Sequence, residues 1–340
     1  MAEDCITLAH GAGGRAMAEL IDCLFLSAFG DTAIADKEDQ ARITLEEFTP
    51  NGDRLAFTTD SFVVTPLFFP GGDIGKLAVC GTVNDLAVGG AIPKVLSAAF
   101  ILEEGLPISV LQRIVYSMGD TAKEAGVTIQ TGDTKVVGRG MADGVYINTS
   151  GIGVIPSHLN LGLCHAKPGD RILVSGSIGD HGAAVMLARE ELGMVGDMHS
   201  DCAPLNGLIQ SLLGNHQGIK AMRDATRGGL GCVLHDIAKA SHTHLLVEED
   251  RLPIRAPTHG ICELMGLEPW FMANEGMVVL VVAEHAAEAV LQSLKQHPYG
   301  TSAAVIGTVT NASPGVTLHT SYGGKRLLDW PYGLQLPRIC

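Results

Sequence analysis

The sequence predicts two α/β (α+β) domains followed by a short unpatterned tail, and three observations carry that prediction. Apolar runs of strand length alternate with helix-period stretches in both halves. A stretch bearing Pro156, Asn160, Pro168 and Gly169 interrupts the pattern at 156–170. From Pro331 to Cys340 no period remains. A chain of 340 residues, 46% of them hydrophobic, holds enough apolar material for two ordinary cores. The expected division is 1–155, 156–330 and a flexible tail at 331–340.

In the first half, Met17, Leu20, Ile21, Leu24, Phe25 and Ala28 recur at helical spacing after a glycine-rich start. A strand is expected over 55–59, ending in Asp60, with another short extended run over 62–65. Gly71-Gly72 then turns the chain into a helix over 73–88, with Asp73 as its N-cap. A buried strand at 95–102 follows, then a helix over 107–125 stopped by Gly126. Residues 127–131 form a strand that runs into Gly132-Asp133-Thr134, and a strand over 145–155 closes this half. The second half restarts with a strand at 171–175 and a loop at 176–182 that feeds a helix over 183–192. Gly228-Gly229 opens a helix through Ala240. Strands are expected at 245–247, 277–283 and 303–309, and a helix at 286–295. The pattern sets no sheet order.

A formal charge of −14 makes nucleic acid and anionic membrane surfaces poor partners. A nucleotide remains compatible with it, bound through magnesium and backbone N–H groups. The apolar runs are too short to cross a bilayer, and no signal peptide is recognisable at the N-terminus, so the expected location is the cytoplasm. Eight cysteines are scattered with no C-x-x-C pair, as expected of reduced, mostly buried thiols. Cys340 stands apart, because a final residue rarely sits in a core.

Three acidic positions suit a hard cation. Asp60 and Asp133 end strands, and Asn84-Asp85 interrupts an apolar helix where polar groups need partners. Taken singly, an Asp at a strand end reads equally as a turn or cap residue. His10-Gly11-Ala12-Gly13-Gly14 precedes a helix and offers backbone N–H groups to a phosphate, or is simply a mobile loop. It matches neither a P-loop nor the dinucleotide fingerprint. The segments 175–182 and 224–230 each join a strand or cap to a helix N-terminus. Asp224 and Thr226 read as caps, and Arg227 offers a guanidinium fork for phosphate. Glu275, in Asn274-Glu275-Gly276, is either a general base or an ordinary loop acid.

In this order, and over almost the whole length, these motifs resemble the superfamily of aminoimidazole ribonucleotide synthetase, selenophosphate synthetase and thiamine-monophosphate kinase. The resemblance implies a two-domain PurM-like architecture, a homodimer built on a β-barrel of the N-terminal domains, and ATP with Mg²⁺ in a cleft. It makes Asp60, Asn84, Asp85 and Asp133 the magnesium ligands, and adds His10, Gly11, Gly13, Gly14, Thr134 and Arg227 around the nucleotide. Within the superfamily the sequence is most similar to the HypE family of hydrogenase-maturation proteins. The shared features are the 10–14 loop, Phe68-Phe69-Pro70-Gly71-Gly72, Asp133-Thr134-Lys135-Val136-Val137, Ala273-Asn274-Glu275-Gly276 and the ending Pro337-Arg338-Ile339-Cys340.

That family resemblance implies that Cys340 accepts a carbamoyl group from HypF. ATP-dependent dehydration then makes a thiocyanate, whose cyano group passes to a HypC–HypD iron scaffold for a [NiFe]-hydrogenase. Cys340 would carry the substrate, with Glu275 the first candidate base, His181 the second, and Lys135 a further catalytic group. Two other readings stay open. A superfamily kinase or ligase acting on a free small molecule would leave Cys340 dispensable. A carrier with a C-terminal binding peptide would hydrolyse no ATP. Selenophosphate synthesis is disfavoured, because Cys5 lies ahead of the first glycine-rich loop rather than in it. Prenylation is excluded, because the cysteine is last rather than fourth from the end.

Overall fold

The computed structural model describes residues 5–12, 14–30, 40–189, 196–329 and 339–340. The first domain opens with α1 (Arg15–Leu20), which passes through a π turn at Ile21–Phe25 into α2 (Leu26–Phe29). Leu20, Leu24, Phe25 and Ala28 are buried there, as their helical spacing requires. Then come β1 (Arg54–Phe62), β2 (Phe68–Phe69), β3 (Gly72–Asp73), α3 (Ile74–Val88), β4 (Ile92–Glu103), α4 (Ile108–Ala125), β5 (Thr128–Val137) and β6 (Val145–Ile155). Asp73 caps α3, its Oδ1 accepting from the N–H groups of Gly75 and Lys76 at 2.7 and 3.1 Å. Gly126 ends α4 in the left-handed region, φ +68°. The extended run expected over 62–65 is not a separate strand: Phe62 completes β1, and the chain bends at 65–67 before β2.

Four strands form a sheet in the order β1-β6-β4-β5, with only β4 and β5 parallel. Alternation gives this sheet two unlike faces. Phe62, Ile147, Phe100 and Thr134 lie in one cross-strand row and are buried. On the other face Leu55, Phe57 and Ile101 are 61%, 72% and 42% exposed.

The second domain contains β7 (Arg171–Val174), α5 (Asp180–Ala188), α6 (Asn206–Asn215), β8 (Ile219–Asp224), α7 (Gly229–Ser241), β9 (His244–Glu248), α8 (Ala256–Met265), β10 (Val278–Val282), α9 (Glu284–Gln296), β11 (Ala304–Thr310), β12 (Gly315–His319) and β13 (Lys325–Leu328). Its sheet runs β13-β12-β9-β11-β7-β10-β8, antiparallel except for β12 against β9. Val279 and Val281 of β10 feed one core, and Val278, Leu280 and Val282 feed the core on the opposite face. A strand covered on both sides reads as an unbroken apolar run, not as an alternation.

The stretch expected as a linker is fastened to the second domain. Gly162 N–H donates to Lys220 O (3.0 Å) and Gly169 N–H to Val309 O (2.8 Å), while buried Asp170 meets Lys220 Nζ at 2.6 Å. The two domains are stitched through polar groups. Asn84 Nδ2 donates to the carbonyls of Ala203 (3.1 Å) and Glu275 (3.3 Å), and its Oδ1 accepts from Leu205 N–H (2.7 Å). Asn206 Nδ2 donates to Ala125 O at 2.7 Å, and Ser200 N–H to Pro70 O at 2.8 Å. Of the tail expected to be flexible, 331–338 lie outside the described residues, whereas Ile339 is buried and Cys340 partly so.

Candidate active site

Where β1, α3 and the end of β8 meet, three carboxylates gather. Asp60 lies on the helix-covered face of β1, and its Oδ1 accepts from Ser61 N–H at 2.8 Å and sits 3.8 Å from Arg227 Nη2. Asp85 accepts from Thr58 Oγ1 at 2.9 Å. Burial raises the Asp85 carboxyl above its ordinary range, and the Asp60 charge adds to that, against Thr58, Arg223 and Arg227. Asp224, the last residue of β8, is pushed up to about 6 by burial and then by the Asp85 charge. Three carboxylates thus share the neighbourhood of two guanidinium groups, Arg223 and Arg227. Arg227 precedes Gly228 and Gly229, which open α7 at φ +74° and +58°. A Cβ on Gly229 would lie 2.3 Å from Met272 O, so only glycine fits this turn.

The other expected ligands are elsewhere. Asp133 pairs with Ala99, Ala99 with Asn148, and Asn148 with Ser61, which places Asp133 on the opposite sheet face from Asp60. It is also three strand spacings away, roughly 14 Å. Lys135 lies on that same outward face with Nζ 2.9 Å from the Asp133 carboxylate, which it holds below the ordinary range. Thr134 is buried in the row with Phe100. Asn84 is engaged through both ends of its amide in the domain junction, which gives it a structural task instead of ligation. The set Asp60, Asn84, Asp85 and Asp133 thus does not form one metal site within this chain. Among the described residues, no three His, Cys, Asp or Glu side chains converge closely enough to hold an ion by themselves.

The glycine-rich start lies beside β5, the edge strand farthest from β1. His10 is buried in a 3-10 turn, its Nδ1 accepting from Thr7 N–H at 3.0 Å, and Gly11 packs on Val136. Gly14 caps α1, and Gly13 lies outside the described residues.

The chain's final two residues return to the acid cluster. His181 Nε2 lies 2.5 Å from Ile339 O, and His181 Nδ1 lies 2.8 Å from Ser200 Oγ. Burial pushes the imidazole down to about 4, so it is neutral at physiological pH. A carbonyl only accepts, so the network assigns the ring proton to Nε2. His181 therefore grips the tail backbone and is not free to act as the second base. The Phe69 ring meets the imidazole edge-on, 5.3 Å between centroids. Cys340 is pushed up to about 12 by burial, then by the charges of Glu275 and Asp60, while Arg227 opposes them. Its thiol thus sits within electrostatic reach of three of the expected site residues.

Glu275 is 3% exposed, and its Oε1 has no hydrogen-bond partner. Burial, then the proximity of Cys202, Asp224, Asp201 and Asp60, drives its carboxyl well above the ordinary glutamate range. The turn that carries it is clamped by Asp201. Oδ1 accepts from Glu275 N–H (3.0 Å), and Oδ2 accepts from Asn274 Nδ2 (2.7 Å) and Gly276 N–H (3.1 Å). The site thus unites Asp60, Asp85, Arg227, Glu275, His181 and Cys340. It adds Asp224, Asp201 and Ser200, which the sequence did not single out as site residues. Asp224 ends a strand as Asp60 was expected to, and that parallel was its one signal.

Comparison with known proteins shows the family. The family model for the N-terminal domain of AIR synthase related proteins matches residues 37–155, and that for their C-terminal domain matches 167–319. Carbamoyl dehydratase HypE of Escherichia coli (strain K12) is 52% identical over 335 residues, covering 98% of this chain and 99% of that protein. The crystal structure of the E. coli protein superposes with a TM-score of 0.92 over 95% of this chain and 100% of the other. A HypE structure in complex with ATP gives 0.92 at 45% identity, covering 98% and 99%. A chain from a HypE–HypF complex gives 0.79 at 50% identity, covering 92% and 99%.

Proposed function

We propose a function from one premise: the chain belongs to the HypE family of AIR synthase related proteins. It is an ATP-dependent carbamoyl dehydratase that converts a thiocarboxamide on Cys340 into a thiocyanate, for the cyanide ligand of a [NiFe]-hydrogenase. The observation that carries this reading is the seating of Cys340 within electrostatic reach of Glu275, Asp60 and Arg227, with Glu275 buried and its Oε1 unpartnered. A carboxamide oxygen leaves poorly. Phosphoryl transfer from ATP to that oxygen makes it depart as phosphate, with ADP as the other product. Both N–H protons must also go: Glu275, with its raised carboxyl range and free oxygen, takes one, and the departing phosphate carries the other away. Arg227 and the N–H groups opening α7 receive phosphate oxygens.

The three carboxylates suit Mg²⁺ by donor chemistry, their oxygens being hard, but they do not converge closely enough to hold an ion without phosphate oxygens and water to complete the shell. Asp60, Asp85 and Asp224 would hold the ion, which supplies charge neutralisation for phosphoryl transfer. Asp85→Asn should lower ATP turnover by at least about 10²-fold, by weakening the metal site, without loss of thermal stability. A phosphate-release assay matching the parent removes Asp85 from that site.

HypF serves as carbamoyl donor and a HypC–HypD scaffold as acceptor, in the cytoplasm. Among the described residues, no helix is long and apolar enough to cross a membrane. The chain pairs as a homodimer through the outward sheet face, where Leu55, Phe57 and Ile101 leave apolar surface uncovered. Phe57→Asp should yield monomer in light scattering at micromolar concentration, and a parent that is itself only monomeric defeats the claim. The deciding experiment for the activity is intact-mass analysis of carbamoylated protein with and without Mg-ATP. Loss of one water only with Mg-ATP is expected. A mass that does not change overturns the reading.

A further inference from the structure

We infer that Ser200 and Asp201 are a paired positioning element: Ser200 fixes the His181 tautomer that captures the tail carbonyl, and Asp201 fixes the turn that presents Glu275 to Cys340. The Ser200 oxygen accepts from Cys202 N–H at 3.0 Å, so its hydroxyl proton is free to point at His181 Nδ1, 2.8 Å away. That contact makes Nδ1 the acceptor and leaves the proton on Nε2, the nitrogen that faces Ile339 O. Without the hydroxyl, the other tautomer would aim a lone pair at a carbonyl, and the tail would lose its hold.

Asp201 meets three donors, Asn274 Nδ2, Glu275 N–H and Gly276 N–H, and only a carboxylate can accept from all of them. The turn has no slack. A Cβ on Gly276 would lie 1.7 Å from Asp201 O. Ser200 N–H is itself held by Pro70 O of the first domain. The two residues are consecutive, so the group that seats the tail and the group that holds the base lie side by side on one segment, each with its own contacts. The Asp201 half rests on the proposed dehydration; the Ser200 half does not.

Seated, Cys340 is only partly exposed and its thiol is held protonated, so its alkylation quickens as the unseated fraction grows. The full-length protein, free of nucleotide, is treated with N-ethylmaleimide, and labelling at each cysteine is followed by peptide mass spectrometry, with exposed Cys164 as internal reference. Ser200→Ala should speed labelling at Cys340 by about tenfold, a loss on the scale of one buried hydrogen bond, with Cys164 unchanged. Ser200→Thr should restore the parent rate. Asp201→Asn should leave Cys340 labelling as in the parent, yet slow single-turnover water loss from the carbamoylated protein by about tenfold or more. S200A labelling at the parent rate overturns the tail half, and D201N dehydrating at the parent rate overturns the base half. A variant that does not fold is replaced by S200C or D201E, which keep a polar group at the same position and are read the same way. If the parent loses no water with Mg-ATP, the dehydratase reading fails and takes the Asp201 half with it, while the labelling comparison still decides the Ser200 half.

Discussion

Replacing Glu275 by Gln is expected to slow water loss from carbamoylated protein by about 10²- to 10⁴-fold, the range a general base contributes, while making the fold more stable at neutral and alkaline pH. Both effects follow from one feature, a carboxyl that is 3% exposed with an oxygen that meets no donor. Burial raises its proton affinity well above that of an ordinary glutamate, with nearby Cys202, Asp224, Asp201 and Asp60 adding to the rise. The folded state therefore binds this proton more tightly than the unfolded chain does. Stability from that proton is complete below the ordinary glutamate range, and it drains away as pH climbs through the raised value. Gln keeps the shape and carries no charge to desolvate. Its thermal midpoint should match the parent near pH 4 and exceed it near pH 8, by about 2–4 °C for each kcal/mol recovered. The parent's rate should climb with pH as Glu275 loses its proton, and the variant should lack that limb. Scanning calorimetry over pH and quenched intact-mass time courses check the two halves. A variant that dehydrates like the parent removes Glu275 as base, and one whose midpoint falls shows that the carboxylate has a stabilising partner.

Much of the fold was legible because its signals are local. The Asp73 cap, the Gly126 stop and the unbroken run of β10 each follow from neighbours in sequence. The elements that escaped notice carry weaker signals. β8 mixes Lys220, Arg223 and Asp224 into an otherwise apolar strand, and β13 is an edge strand with its apolar Leu327 exposed. The site divides along the same line. Asp60 and Asp85 needed only their own surroundings to stand out. Asp133 stands out equally, yet whether it faces Asp60 depends on sheet order and strand register, and neither has a local signature. The polarity of Asn84 inside an apolar helix correctly signalled a partner, but the partner is the backbone of the other domain. Ser200 and Asp201 lie in an aperiodic segment, and their importance comes from contacts with His181 and with residues 274–276, far along the chain.

Cys340→Ala is expected to abolish both mass changes, the HypF-dependent gain of one carbamoyl group and the later loss of one water, while ATP binding persists. The acids and Arg227 proposed to hold the nucleotide belong to β1, α3, β8 and the turn before α7, none of which depends on the cysteine side chain. The seat accords with the proposed division of the work between two enzymes. With its thiol pushed up to about 12, a seated Cys340 is protonated and a poor nucleophile, so it cannot capture a carbamoyl group there. An S-carbamoyl group is neutral. It has no thiolate to desolvate next to Glu275 and Asp60, and the site that disfavours the free thiolate therefore accepts the modified residue. On the proposed function, carbamoylation is expected with the tail out of the cleft and dehydration with it seated, where His181 holds Ile339 O and the Ile339 side chain packs in the apolar core. Tethering keeps the substrate at high effective concentration throughout. Intact-mass analysis of the Ala variant, incubated with HypF and then with Mg-ATP, reads both steps on one sample, and an equilibrium ATP-binding measurement reads the third. A variant that still gains the carbamoyl group and then loses water places the substrate on another thiol. One that no longer binds ATP makes Cys340 a structural residue of the nucleotide site.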